Sequence, residues 1–493
     1  MDERRRIPPD ASTKRLHTVL GQREVWSLAF GAMIGWGWVV LSGEMIDRAG
    51  SLGSMVAIVV GAVMVGFVGL AYAELTPALP RAGGELGFSF RAFGPTVSWI
   101  CGWALLLAYT AVSAFEAVAL PTVLDYLVPD LRTGFVYRIA GSEVYLSWIL
   151  VGVGGALFIG YANWRGMKTS AFLQWTATLG LLVVGLAFFA GTNIFGRMEN
   201  LHPLFTDMGG LFRVVIMTPF LFIGFDVIPQ AAEEIRLPAQ RIGALILFSI
   251  SMAAAWYILV QWGVGLSLSA DQHGASELPT ADAMAVVFRS PLAGRILVLG
   301  GILGIVTSWN AFFVGGTRLI FAMARGRMLP QWLARLHPRY HTPSRAIAFV
   351  AGVTLIAPFF GRQALVWVVD ACGLATVIAY FLVVLSFLKL RTTAPELHRP
   401  FKVRHGRIVG ALALLITAGF VVLYLPGSPS ALIWPYEWMI LIAWGLLGLL
   451  FYVRQRRRNV GLTAREQEQL ILGDYATASP APPVEVAASY DES

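Results

Sequence analysis

Glu116 stands in the middle of the apolar run Ala111-Val112-Ser113-Ala114-Phe115-Glu116-Ala117. A carboxylate at that depth is costly in a membrane and marks a functional site by default. Three roles are open to it: holding the amine of a ligand, passing a proton, or hydrogen-bonding to a neighbouring helix. A second acid, Asp226, follows Phe222-Ile223-Gly224-Phe225 and precedes Pro229. If a helix restarts there, Asp226 is its N-cap and Pro229 falls in the first turn, where a missing N–H does no harm. Capping does not exclude contact with a ligand. Gly35 and Gly37 flank Trp36 in the run Phe30-Gly31-Ala32-Met33-Ile34-Gly35-Trp36-Gly37-Trp38. Each glycine costs a helix interior about 1 kcal/mol relative to alanine, so the pair permits unwinding. The freed N–H groups and the positive end of the following half-helix suit a carboxylate. The alternative for these small residues is close helix packing. Trp36 and Trp38 can offer a ring face to an ammonium group or point into a neighbouring helix. Glu44 and Asp370 lie nearer the ends of apolar runs, where an unremarkable solvated role is easier.

Both glycine-bearing runs interrupt hydrophobic stretches long enough to cross a bilayer. Breaking a membrane helix makes sense only where the freed backbone groups face a ligand, an ion or other protein. Interrupted spans in matching positions of two halves point to the substrate site of a secondary transporter. The ligand-contacting residues expected on that ground are Ile34, Gly35, Trp36, Gly37, Glu116, Phe222, Gly224, Phe225 and Asp226. Of the 493 residues, 57% are hydrophobic and 13% charged, against ~25% charged in a soluble domain. Apolar runs of ~20 residues recur along the chain. Twelve spans are predicted, near 24–47, 51–76, 95–127, 143–162, 168–190, 211–235, 241–269, 291–325, 344–361, 365–389, 408–426 and 432–453. The fold class expected is an all-α integral membrane protein. Residues 23–190 form a first five-helix repeat and 211–390 a second, with spans 1 and 6 broken and an offset near 190 residues. Five is odd, so the second copy enters from the opposite side and the repeat is inverted. Two extra helices occupy 408–455.

The net charge of +8 is topological and gives no sign of a nucleic-acid partner. With a cytoplasmic N-terminus, 29 Lys and Arg fall on the inner side and 8 on the outer. That asymmetry follows the positive-inside rule and places both termini in the cytoplasm. Residues 1–22 are basic without the apolar core of a signal peptide, so the first span is its own targeting signal. The tail 459–493, rich in Ala, Pro, Ser and Glu towards its end, is expected to be disordered. Cys101 and Cys372 are too few for a disulfide framework or a metal cluster. All seven histidines fall in termini or loops, which leaves no intramembrane catalytic cluster, and no nucleotide motif supports ATP-driven pumping. No cofactor or metal is expected. Glu74, Glu233, Glu234 and Arg318 collect at the cytoplasmic ends of spans, either as an inner gate or as solvated end charges.

Four stretches carry a family resemblance: the glycine-broken first span; Pro80-Arg81-Ala82-Gly83-Gly84-Glu85 before the third; Gly224-Phe225-Asp226 leading to Glu233-Glu234; and Thr317-Arg318 with Ala322-Met323-Ala324-Arg325-Gly326. On these the chain resembles the amino acid–polyamine–organocation transporter superfamily. The resemblance implies a five-plus-five inverted repeat with a central site between the broken helices. Phe225 matches the family's aromatic gate over substrate; Glu233 and Arg318, from the cluster at the cytoplasmic span ends, are the other gate residues expected. Thr307 and Ser308 match the hydroxyls that hold sodium in sodium-coupled relatives, although membrane hydroxyls more often bond their own backbone. The lysine that some proton-coupled relatives carry in span 5 is replaced, counting from Gly166, by Leu181. Trp36 and Trp38 depart from the small or aliphatic residues usual in this turn. The expected function is secondary active transport of an amino acid or related amine across the cell's inner (plasma) membrane, by proton coupling or exchange. A polyamine or ethanolamine permease is the alternative, and a sensor or channel on the same fold a remoter one. H+ or Na+ and the lipid bilayer are the other partners expected.

Overall fold

A computed structural model describes residues 16–128 and 130–476. Most of the expected N-terminal segment 1–22 and the end of the tail therefore lie outside the described residues. The helices are, in order, α1 (Gln22–Met33), α2 (Gly37–Ala49), α3 (Ser51–Ala78), α4 (Glu85–Phe93), α5 (Pro95–Leu127), α6 (Leu146–Trp164), α7 (Met167–Phe195), α8 (Met208–Leu221) and α9 (Val227–Gln230). There follow α10 (Ala239–Ser267), α11 (Ala270–His273), α12 (Pro279–Val287), α13 (Pro291–Arg325), α14 (Ser344–Ile356), α15 (Gly361–Thr393), α16 (Gly406–Leu423), α17 (Tyr436–Arg458) and α18 (Ala464–Leu472).

Among the described residues, nine helices are long and apolar enough to cross a membrane, α14 and α15 counting together as Ser344–Thr393. The count rises to ten if α1 and α2, bent by 48° at their break, form one span. α8 is a shorter apolar helix. The sequence dictates many of these ends. Pro95, Pro279 and Pro291 each open a helix at a position where the absent N–H costs nothing. Gly361, at φ +72°, turns the chain from the short helical turn after α14 into α15. Helices α5 and α13 run through the middle of the bundle, and the rings of Tyr109, Trp309, Phe313 and Phe321 are buried between elements. Helix α17 lies outermost, with Ile442, Leu446, Leu449 and Leu450 exposed along it. Large aliphatic side chains facing outward in such numbers need a hydrocarbon surrounding.

Four expectations are corrected. The sixth apolar run breaks after Leu221 as expected, where Gly224 takes φ +131°, but its second half, expected to run on to residue 235, is regular helix only over the four residues of α9. The all-α class gains a small antiparallel hairpin, Phe135–Ile139 with Ser142–Tyr145, turned at Gly141. The stretch between the expected spans 241–269 and 291–325, where no element is expected, holds α12, whose Thr280 hydroxyl donates to the Trp38 carbonyl at 2.8 Å. Within the tail expected to be disordered, Thr463 and Glu466 form a capping box that starts α18. The expectation failed because composition was averaged over the whole tail and hid this signal beside the apolar Leu470-Ile471-Leu472.

Helix α18 is docked, not loose. Leu470, Ile471 and Leu472 are buried. Glu468 pairs with Arg91 of α4, and Gln467 donates to the Gly326 carbonyl at 2.8 Å. Leu472→Asp should therefore release the helix, since burying an unpaired carboxylate costs more than the apolar contact supplies. Limited trypsin digestion should cut at Arg465 at least about tenfold faster in that variant. Val460→Asp, on a fully exposed position, should leave the rate unchanged.

Candidate functional site

The two breaks lie against each other. A Cβ on Gly224 would sit 2.6 Å from the Ala32 Cβ and 3.0 Å from the Met33 nitrogen. Only a glycine admits that approach, and its φ of +131° is one that other residues rarely adopt. Helix α13 closes on the first break in the same way. A Cβ on Gly304 would lie 2.7 Å from the Gly35 oxygen and 3.1 Å from that of Ile34. The carbonyl of Met33, left over where α1 ends, accepts from the Tyr257 hydroxyl at 2.9 Å. Gly35, Trp36 and Gly37 remain half-buried and bring the first N–H groups of α2 to the break. These donors have no acceptor within their own helix.

Asp226 sits where α9 begins, as expected, but its carboxylate does not cap that helix. It turns back to accept from the Gly224 N–H at 3.0 Å, the Tyr109 hydroxyl at 2.5 Å and the Tyr380 hydroxyl at 2.9 Å. Three donors, two of them hydroxyls, satisfy a wholly buried carboxylate better than the few N–H groups of a four-residue helix that includes Pro229 would. The break in the sixth run is thereby tied to α5 and α15. Phe222 and Phe225 are fully buried. The Phe225 ring meets Tyr72 edge-on at 5.1 Å and Tyr380 at 5.4 Å, forming an aromatic layer beside the break.

Glu116 projects from α5 towards the other break. Its carboxyl is in hydrogen-bonding contact with Ser308 of α13. Its Oε1 lies 3.7 Å from where a Cβ on Gly35 would be. Its second oxygen, Oε2, is buried with no hydrogen-bond partner. Thr307 spends its hydroxyl on the Gly304 carbonyl of its own helix at 2.9 Å, so it and Ser308 do different things. Trp36 packs its ring on Gly301 of α13 while staying half-open. Trp38 is buried edge-on against Trp256 at 5.3 Å, pointing into a neighbouring helix rather than into a pocket. Glu44 is exposed and pairs with Arg48 at 2.6 Å.

At the face that carries both Leu16 and α18, the charged residues are buried in pairs. Arg318 holds Glu234 through two bonds of 2.7 and 3.1 Å. Glu233 takes Arg325 at 2.9 Å and Arg81 at 3.6 Å. Adjacent in the short helical turn Ala232–Glu234 that follows α9, the two glutamates point to different partners. Glu74 lies apart from them and pairs with Arg391 and Arg399. The Pro80–Glu85 loop reaches the same cluster, where the Ala82 N–H donates to Glu233 at 3.2 Å and Glu85 accepts from Gln230. The Leu16 N–H donates to Glu233 as well, at 3.1 Å. Leu181 is buried, and Gln174 and Thr178 of the same helix lie beside Gly31 of α1. Gln174 donates to the Ser27 carbonyl at 2.9 Å and accepts from Asn310 at 2.8 Å.

Sequence reasoning passed over Tyr109, Tyr380, Gln174, Asn310 and Arg325. Tyr109 was within reach, because it precedes Glu116 by two helical turns and so shares its face. Tyr380 and Gln174 carried no signal beyond being polar within apolar runs.

The amino acid permease family model matches residues 20–450. Among curated proteins, the chain is 27% identical over 467 residues to the branched-chain amino acid permease BcaP of Bacillus subtilis, covering 92% of this chain and 96% of that one. It is 24% identical over 465 residues to the methylthioribose transporter of the same organism, with the same coverages. It is 25% identical over 410 residues to the aspartate-proton symporter of B. subtilis, covering 80% of this chain and 77% of that one. With most of its length matched by a single family model and its broken helices packed together, this chain belongs to the amino acid permease family.

Proposed function

We propose that the chain is a secondary active transporter of an amino acid or related organic amine, working by alternating access with proton coupling or exchange. The observation that carries this reading is the half-open turn Gly35–Gly37, faced by Glu116 with an unpartnered buried oxygen. One wall supplies N–H donors for a carboxylate and the other a carboxylate for an amine. An α-amino acid presents both groups. Two of the relatives' names, a branched-chain amino acid permease and an aspartate-proton symporter, agree with that substrate class and one of them with proton coupling, whereas the methylthioribose transporter is named for a different substrate. Phe225 with its tyrosine neighbours is the proposed gate over substrate. The Glu233 and Glu234 ion pairs are the proposed seal at the cytoplasmic face.

The proposed architecture has twelve spans in a five-plus-five inverted repeat plus two helices, with both termini cytoplasmic. The matched breaks after Met33 and Leu221 support the repeat. The native cysteines are both buried, so single cysteines can be added without removing them. Ala275→Cys and Pro429→Cys should react with an impermeant maleimide in sealed cells, and Arg339→Cys only after permeabilisation. Labelling of Arg339→Cys from outside would overturn the orientation.

Gly37→Leu tests the site. A Cβ there would meet Leu41 at 3.4 Å and Leu221 at 3.8 Å, both ordinary contacts, so the fold should survive. The rest of the side chain would occupy the proposed ligand space. Substrate affinity should fall about tenfold or more, equivalent to ~1.4 kcal/mol, at an unchanged melting temperature.

Glu116→Gln separates the roles of the acid. If the carboxylate holds the substrate amine, the variant binds amino acids weakly at every pH. If it carries the coupled proton, binding survives and the pH dependence of uptake flattens. Wild-type behaviour in both assays would remove Glu116 from the site.

A further inference from the structure

Away from the breaks, a cavity of about 320 Å³ opens between the outer side of α8, the first half of α15, the end of α16 and the start of α17. Its size lies within the range of small-molecule sites, ~300–1,000 Å³. The walls are mostly apolar, with Phe220 and Val377 on one side and Phe420 on the other. Two carboxylates face into it, Asp370 and Glu437, and they meet each other. Glu437 is 2% exposed. Its Oε2 accepts from the Ile433 N–H at 2.7 Å, whereas its Oε1 has no hydrogen-bond partner. No arginine, lysine or histidine is among the lining residues.

Burying the Glu437 Oε1 against apolar walls without a countercharge is expensive, and the cost is relieved by a cation that donates hydrogen bonds. The donor count is low: two acids, with no group of three or more His, Cys, Asp or Glu gathered for a metal among the described residues. The aromatic and aliphatic walls favour a cation with an apolar body, and Phe420 and Tyr424 add ring faces for an ammonium group. We infer that this cavity is a binding site for a primary alkyl- or arylalkylammonium group, separate from the site between the breaks. Such a group reaches the cavity from solution as a free amine, or from the bilayer as the headgroup of an aminophospholipid. The cavity touches Pro219 and Phe220, the last turn of α8 before its break. Its occupant therefore rests on an element of the central site without entering it.

The test uses the full chain in nanodiscs of phosphatidylcholine, which lacks a primary amine, with radiolabelled n-hexylammonium as the probe. Saturable binding is expected, displaced by unlabelled hexylammonium and not by n-hexanol. Glu437→Gln keeps an acceptor for Ile433, and Asp370→Asn changes an exposed side chain, so both should fold as judged by size-exclusion profile. Each should weaken probe binding at least about tenfold. Glu116→Gln should leave it unchanged. Nanodiscs containing phosphatidylethanolamine decide the source: a loss of probe affinity there identifies the lipid amine as occupant, and unchanged affinity identifies a soluble amine. Three results overturn the inference: no saturable binding in phosphatidylcholine, equal affinity in wild type and both acid variants, or loss of binding in Glu116→Gln with retention in Glu437→Gln.

Discussion

The contact between Gly224 and the Ala32–Met33 backbone is the constraint on which the rest of the site depends. In a bilayer, each peptide group removed from a helix must find another partner. Two interrupted segments side by side multiply that demand in one place. The surrounding helices answer it individually. Tyr257 takes the Met33 carbonyl, Asp226 takes the Gly224 N–H, and Tyr109 and Tyr380 then satisfy Asp226. Each of these groups comes from a different helix, so the breaks organise the bundle as much as the bundle holds the breaks. The half-open turn at Gly35–Gly37 is where this compensation is left incomplete, and that incompleteness is what a ligand can use.

The organisation legible in the sequence was that governed by local rules. Apolar runs long enough to cross a bilayer and the glycines within them gave a multi-span helical membrane protein and the positions of both breaks. The positions of Glu116 and Asp226 beside those breaks also followed. What was not legible depends on which way a side chain turns. Asp226 has the sequence context of a helix cap, yet a carboxylate with two tyrosines in reach prefers them to a four-residue helix. Glu233 and Glu234 are adjacent and chemically alike, so spacing gives no means of assigning Arg318 to one and Arg325 to the other. Helix α12 was passed over because its nine residues, apolar as most of them are, fall far short of the length that crosses a bilayer. The four stretches of the resemblance are scattered over some 300 residues. Their convergence at the face holding Glu233 explains why those particular charges occur together.

The ion pairs at that face differ from surface pairs in that neither partner has water to fall back on. Arg318 is fully buried and its partner nearly so. Removing one member of such a pair strands the other, at a cost of ~3–5 kcal/mol, although the intact pair adds little net stability. The value of the arrangement is specificity: one geometry satisfies all the charges, and small displacements satisfy none.

The helices around α1 are tied together by two different chemistries. On one side, a neutral chain runs from the Ser27 carbonyl through Gln174 to Asn310, Ser170 and Asn163, joining α1, α7, α13 and α6. On the other side, α13 meets the end of α9 through charges. The two respond differently to water. Ionised groups regain most of their lost solvation when a seam opens, which offsets the loss of their partners. Packed amides within hydrocarbon recover less, because their hydrogen bonds are already near their best geometry and the apolar surface around them would be wetted too. In the proposed transport cycle, the charged seam is therefore the one suited to opening and closing. The amide chain is suited to keeping α1 fixed against α7 and α13 while that happens.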